Sequence, residues 1–299
     1  LPALPTALVD ALANRKGALV EGLGPTVAVR VDADRVPITK TADVSKEQPT
    51  LRITLTSPRA SAEIAGVVGN GTFTAQQPVR VSVSEVTRLF ADRFLGMTPL
   101  LGALEKTRDD APAMLTATGL VAPLDGDMRK LNGDLTIDPG QCRFETAGLF
   151  SGVLKNLGQR TSGAAGTRLE PLAVQVRSGV ATYGPWRVPV GEFSMVLQAD
   201  QDSMSKGIDL NQNQIDMVVW IPAGALADKA AGQLNTGLGS LLSRAPVLDT
   251  LTLTPWRVKG PLEKPGVSLD SELWAKTAVK KLSPEGLLRG GLKDLLRPK

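Results

Sequence analysis

Alternation with a period of two residues constrains this chain more than any other feature. Apolar side chains take every second position at Leu51, Ile53, Leu55; at Val79, Val81, Val83; at Leu172, Val174, Val176; at Phe193, Met195, Leu197; at Ile215, Met217, Val219, Ile221; and at Leu251, Leu253. Successive side chains of a strand point to opposite faces, so each run predicts a strand with one aliphatic and one polar face. Gly69-Asn70-Gly71, Ser178-Gly179, Gly184-Pro185 and Val190-Gly191 separate such runs. Residues of this kind supply the positive φ that tight hairpins need, and strands joined so closely pair antiparallel. The expected fold is mainly β: a long, twisted antiparallel sheet with a few short amphipathic helices packed on it.

The helices are read from a different period. Ser84 is a predicted N-cap, followed by Val86, Leu89, Phe90 and Phe94 at helical spacing up to Thr98-Pro99. Leu149, Phe150, Val153, Leu154 and Leu157 predict a second helix, and Leu226, Ala230, Leu234, Leu238 and Leu242 a third. Leu287, Leu288, Leu292, Leu295 and Leu296 predict a fourth. Asp109 to Pro112 reads as a linker. This divides the chain into an upstream β-rich segment with one helix (1–112), a main β module (113–283) and a basic amphipathic tail (284–299). A loose echo joins Leu131–Gly140 and Val258–Gly266, both running apolar, Gly, Leu, Pro-Gly.

Function classes are narrowed by what the chain lacks. It has no histidine, which removes Ser-His and Cys-His nucleophiles and the common zinc sets. Ser203-Met-Ser-Lys206 has the S-x-x-K spacing of penicillin-recognising enzymes, but their K-T-G and S-x-N partners do not occur. Asp209-Leu-Asn-Gln-Asn213 opens like a calcium loop, then has Gln214 where Gly makes the turn and Trp220 where a bidentate Glu belongs. Asp109-Asp110 and Asp125/Asp127 are the remaining acid pairs, in turn-rich surroundings where carboxylates are usually solvated. No phosphate-binding glycine motif occurs. The expectation is a protein without catalysis, metal or cofactor. Aromatic residues make up only 4%, too few for base-stacking platforms, so nucleic acid is not an expected partner. The lone Cys142 offers no intramolecular disulfide, and no apolar run approaches the length of a spanning helix. The start at Leu1 raises the expectation of a processed chain with an anchor upstream.

Charge is concentrated at the end. Lys276–Lys299 holds seven basic and two acidic residues, +5 of a formal net charge of +4. On a helix Arg289, Lys293 and Arg297 would flank a stripe containing Leu288, Leu292 and Leu296, a pattern suited to an anionic membrane surface. Capping of an open sheet end by the same leucines is the alternative.

Five stretches carry a family resemblance: LNGDLTIDPG from Leu131, FETAGLFSGVLKNLGQR from Phe144, LEPLAVQVRSGVATYGPWRVPVGEFSMVLQ from Leu169, IDMVVWIPAGALADKAAGQLNTGLGSLL from Ile215, and WRVKGPLEKPGVSLD from Trp256. Together they resemble the C-terminal part of AsmA-like proteins of the bacterial envelope. The resemblance implies a twisted sheet curled into an open groove with an aliphatic interior, placed in the periplasm and held at the inner membrane by an N-terminal segment. It also implies a part in outer-membrane homeostasis through phospholipid transport, with phospholipid, a membrane surface and envelope proteins as partners. Val174, Val176, Met195, Leu197, Met217 and Val219 are then the candidate lipid-contacting residues. A structural scaffold with a closed core is the alternative, and an envelope polysaccharide enzyme using paired carboxylates is a third class.

Overall fold

The computed structural model describes residues 3–12, 14, 16–34, 49–87, 104–106, 111–144, 167–190, 193–222, 253–262 and 264–282. The chain starts with β1 (Leu4–Pro5), α1 (Thr6–Leu12) and α2 (Ala18–Leu23), then runs through β2 (Thr26–Asp34), β3 (Thr50–Thr56), β4 (Ala60–Gly69), β5 (Thr72–Ala75), β6 (Val79–Val83) and β7 (Leu104–Glu105). It continues with β8 (Ala113–Pro123), β9 (Asn132–Asp138), β10 (Gln141–Phe144), β11 (Thr167–Arg168), β12 (Leu172–Arg177), β13 (Val180–Val190) and β14 (Phe193–Ala199). β15 (Gly207–Asp209), β16 (Gln214–Pro222), β17 (Leu253–Pro261), β18 (Gly266–Leu269) and α3 (Ser271–Leu282) complete the described elements.

Fifteen of these strands form one antiparallel sheet, in the order β1-β2-β3-β4-β5-β8-β9-β12-β13-β14-β16-β17-β18, with β6 and β15 beside this path. The mainly β meander expected from the alternation is therefore observed. β7, β10 and β11 make a separate three-stranded sheet. Two sheet positions are filled by a broken strand. β5 and β6 lie end to end between β4 and β8, interrupted at Gln76-Gln77-Pro78, where proline cannot donate to a ladder. β14 and β15 share the place between β13 and β16 in the same way, interrupted by Asp200–Lys206. The sheet is continuous across residue 112, because β5 and β6 pair with β8.

The hairpin signals act as the residue types require. Asn70 and Gly71 have φ of 51° and 72°, and Ser178 and Gly179 have 50° and 76°, the left-handed pair that matches strand twist in a two-residue turn. Gly179 also sits where a Cβ would lie 2.4 Å from the Met128 carbonyl oxygen, so any other residue would push two hairpins apart. Gly184-Pro185 does not end a strand as predicted. It forms a bulge inside β13, with a register shift between Tyr183 and Trp186, and such a bulge is where a strand tolerates a residue with no amide hydrogen.

The predicted helices over 149–157, 226–242 and 287–296 lie outside the described residues, as do Asp109 and Asp110. So do the tail candidates Leu288, Arg289, Leu292, Lys293, Leu296 and Arg297. Most of the helix predicted after Ser84 does too, and the serine itself sends its amide and hydroxyl to the Arg59 carbonyl. The described helices stand elsewhere. In α1, Asp10 is buried and its carboxylate accepts from the amides of Gly17 and Leu19 at 2.6 and 2.7 Å, which caps α2. Asp270 caps α3 by accepting from the Leu273 amide at 2.9 Å, and Arg257 of β17 clamps that cap to Asp216 of β16.

Candidate functional site: the aliphatic face of the sheet

Strand register assembles the alternating residues into rows. Val29 pairs with Leu55, Leu55 with Ala62, Ala62 with Val81, Val81 with Leu115, Leu115 with Ile137, and Ile137 with Leu172. Directly paired residues share a face, so one aliphatic row crosses seven strands without a polar interruption. The neighbouring row on the opposite face is Arg30, Thr54, Glu63, Arg80, Thr116 and Thr136. A second aliphatic line runs from Val31 to Ile53 and Ile64, and Val79 to Ala117, Leu135 and Val174 on the far side of the β5–β6 break. The sheet is two-faced along this whole stretch.

The face is not equally covered along its length. On β2 to β9, Val29, Leu51, Ile53, Leu55, Ala62, Ile64, Val81 and Leu115 are half-buried and Val31 is 56% exposed, while Val27, Val79 and Ala117 are buried and the half-buried Leu135 and Ile137 pack against the core of the following strands. On β12 to β17 the same face is closed. Val174, Val176, Met195, Leu197, Met217 and Val219 do share it, and none is more than 8% exposed. They belong to one core cluster with Leu169, Leu172, Tyr183, Trp186, Val188, Ile208, Ile215, Ile221 and Val258. Rows again explain the assembly: Val176 pairs with Ala181, Ala181 with Ile208 and Ile208 with Ile215, while Trp186 pairs with Leu197, Leu197 with Val219 and Val219 with Trp256.

Large side chains fill this closed part and satisfy their polar atoms locally. The Trp186 indole donates to the Glu170 carbonyl at 2.8 Å, which holds Leu169 over the sheet with no exposed surface. Tyr183 donates to the Met217 sulfur at 3.5 Å, and burial pushes its phenol well above the ordinary value. The Cys142 thiol is buried and faces the Pro139 carbonyl at 3.1 Å. The candidates for lipid contact are therefore in the closed part of the face, and its more accessible residues lie on β2 to β8. One signal in the sequence separates the two: all four tryptophans and the single tyrosine occur at or after residue 183, and each can bury 150–250 Å² or so.

The chemical motifs resolve into structure. Asp200 caps a 3₁₀ turn, Gln201–Ser203, by accepting from the Ser203 amide, and the Ser203 hydroxyl donates to the Asp200 carbonyl at 2.9 Å and lies 2.6 Å from the Ser205 hydroxyl. Ser203 is buried while Lys206 is exposed, so no base faces the hydroxyl from that position. Asp209 accepts from the amides of Asn211 and Gln212, and the Asn211 side chain donates to the Ser178 carbonyl; the calcium-like stretch is a turn that ties two hairpins. Asp125 and Asp127 are ion-paired with Lys130 and Arg129, whose hydrogen bonds hold both carboxyls below the usual range. Among the described residues no group of three or more His, Cys, Asp or Glu is placed to hold a metal ion. A cleft of about 410 Å³ sits at one end of β2 to β5, lined by Asp32, Asp34, Arg52, Gly66, Gln76 and Gln77. No helix among the described residues is long and apolar enough to cross a membrane.

Comparisons with known proteins add nothing to this geometry: no protein-family model, no curated protein and no solved structure matches the chain.

Proposed function

We propose that the chain is a non-enzymatic lipid-handling module of the bacterial envelope, with phospholipid acyl chains lying on the aliphatic face of β2 to β9. The observation that carries this reading is the row Val29-Leu55-Ala62-Val81-Leu115-Ile137, aliphatic at every strand and only half-buried. Apolar surface of this kind gains about 25 cal/mol for each Å² removed from water, whichever molecule supplies the cover. An acyl chain suits it because a strip of aliphatic side chains has no directional group to satisfy, whereas a polar ligand would find nothing to bond. The AsmA-like resemblance, the curl of the sheet into a groove, the periplasmic setting and a role in outer-membrane homeostasis belong to this same proposal.

The scaffold reading draws its support from β12 to β17, where the equivalent face is a filled core. The two readings are separated by one substitution. Wild-type protein should take up fluorescent phospholipid and carry lipid in native mass spectrometry. Ile53→Asp should lose that uptake while still unfolding cooperatively at a lowered melting temperature, since Ile53 is only half-buried. Absence of bound lipid and of uptake in the wild type sinks the lipid reading and leaves the scaffold.

A further inference from the structure

We infer that the free edge of β2 pairs antiparallel with β2 of a second copy of this chain, in a register centred on Val31. β2 lies at one end of the large sheet, and β1 covers only Thr26 and Val27 of its outer edge. From Ala28 to Asp34 the strand pairs with β3 along its inner edge, and no described strand lies along the outer one. Arg30 to Asp34 are exposed at five consecutive positions. An edge of this length with unpaired backbone groups is a template for another strand.

Backbone direction selects the groups on offer. The Thr6 amide donates to the Pro25 carbonyl at 2.9 Å on the β1 side of the strand. Backbone groups of an antiparallel strand turn to alternate edges, so Val29, Val31 and Ala33 present their amides and carbonyls outward on that same side. The window left open beyond β1 runs from Ala28 to Asp34 and has Val31 at its centre. Two copies related by a two-fold axis at Val31 exchange backbone hydrogen bonds between Val31 and its equivalent, and between Val29 and Ala33 on either side.

Charge selects the same register and the same occupant. In it Arg30 stands opposite Asp32 of the second copy, and Asp32 opposite its Arg30, at positions where opposed side chains approach closely. Sliding by two residues one way sets Arg30 against its own equivalent, and the other way Asp32 against its own; sliding by one turns every side chain to the wrong face. Within one chain Arg30 and Asp32 are ion-paired at 2.8 Å and remain 75% and 49% exposed, so both charges are held at the edge. On the other face Val31 meets its equivalent, which covers a valine now 56% exposed and joins the line Val31-Ile53-Ile64 to its counterpart. A self-complementary patch of this kind is what a closed two-fold dimer requires. The inference rests on register and charge and is independent of the lipid-handling reading.

Sedimentation equilibrium of the full chain tests this and should show monomer and dimer in exchange. Val31→Pro removes the central outward amide without touching a bond to β3, and should raise the dissociation constant about tenfold or more. Arg30→Glu sets acid against acid twice and should raise it about tenfold at low salt, with recovery at high salt. Arg30→Asp/Asp32→Arg restores the complementarity and should return the dimer. Disulfide trapping reads the register: a mixture of Arg30→Cys and Asp32→Cys proteins brings two thiols opposite each other, with Cα atoms about 4.5 Å apart. The mixture should cross-link under mild oxidation and neither protein alone should, the buried Cys142 being present in all. A wild type that stays monomeric at every concentration, or assembly that grows beyond a dimer, overturns the inference. So does a dimer that survives Arg30→Glu, or a charge exchange that fails to restore it; these variants decide the matter even where Val31→Pro does not fold, because Arg30 is exposed. Phospholipid uptake keeps the two proposals apart. Arg30→Glu lies on the polar face and should lose the dimer while keeping uptake, whereas absence of uptake in a dimeric wild type would sink the lipid reading and leave the dimer intact.

Discussion

Strands β2 to β6 and strands β12 to β17 carry the same alternation, yet the first group leaves most of its aliphatic face half-buried, Val27 and Val79 apart, and the second encloses it. The difference lies in residue size and in what each strand meets. Inner positions of β2 to β4 are Val27, Val29, Val31, Leu51, Ile53, Leu55, Ala62, Ile64 and Gly66. Those of β12 to β16 include Tyr183, Trp186, Met195 and Met217 among the aliphatics. Gly66 shows how thin the first group is: the Phe73 ring lies where its Cβ would be, so the one buried aromatic there covers a glycine instead of reaching outward. The second group is covered on its other face as well. Val218 has no exposed surface, and Arg257 joins Asp216 to Asp270 at the cap of α3. Alternation thus makes a two-faced sheet, while bulk decides whether the apolar face closes.

This contrast can be broken most directly at Arg257. Arg257→Met leaves two largely buried carboxylates without their cation, and should cost about 4 kcal/mol, read as a shift of the urea midpoint. A loss below about 1 kcal/mol would mean that the outer face of this half is loosely held. Met217→Ala comes next, with about 3 kcal/mol expected from a fully packed site; Ile53→Ala, on the same kind of strand in the other half, should cost less, about 1 kcal/mol, because Ile53 is only half-buried. Equal losses at the two positions would erase the distinction between the halves.

Acid should loosen α3 with a smaller effect. Burial opposes ionisation of Asp270, but the Leu273 amide and the Arg257 guanidinium outweigh it, and its carboxyl is held below the ordinary value. Its stabilising contribution is therefore complete above the ordinary aspartate range and is lost as pH falls through that range towards the lower folded value. Trp274, in the first turns of α3, should report this as a fluorescence change at acid pH that Asp270→Asn removes. The smallest effect belongs to Val31→Asp. With over half its surface exposed, the change should alter stability by less than about 0.5 kcal/mol while lowering phospholipid uptake, and intact uptake would move the lipid contact elsewhere on the face.

Period and turn chemistry by themselves determined much of this protein. Leu51-Ile53-Leu55, Val79-Val81-Val83 and Ile215-Met217-Val219-Ile221 became strands with the expected faces, because alternation is a local property of a pleated chain. Asn70-Gly71 and Ser178-Gly179 became hairpins, because positive φ is a property of those residues. Gly184-Pro185 was misleading, since the same dipeptide serves a turn or a bulge according to the strands beside it. The short helices α1 and α2 were hidden because six or seven residues carry too little helical period to rise above their surroundings, and α3 was signalled only by Asp270 as its cap. What tertiary structure alone decided is register and cover. The row from Val29 to Leu172 exists only because strands separated by dozens of residues pair in step. The six candidate residues for lipid contact lie in one core with Trp186, Tyr183 and Leu169. Side-chain direction is set within two or three residues of chain, whereas the surface that ends up above a side chain is supplied from far away in sequence.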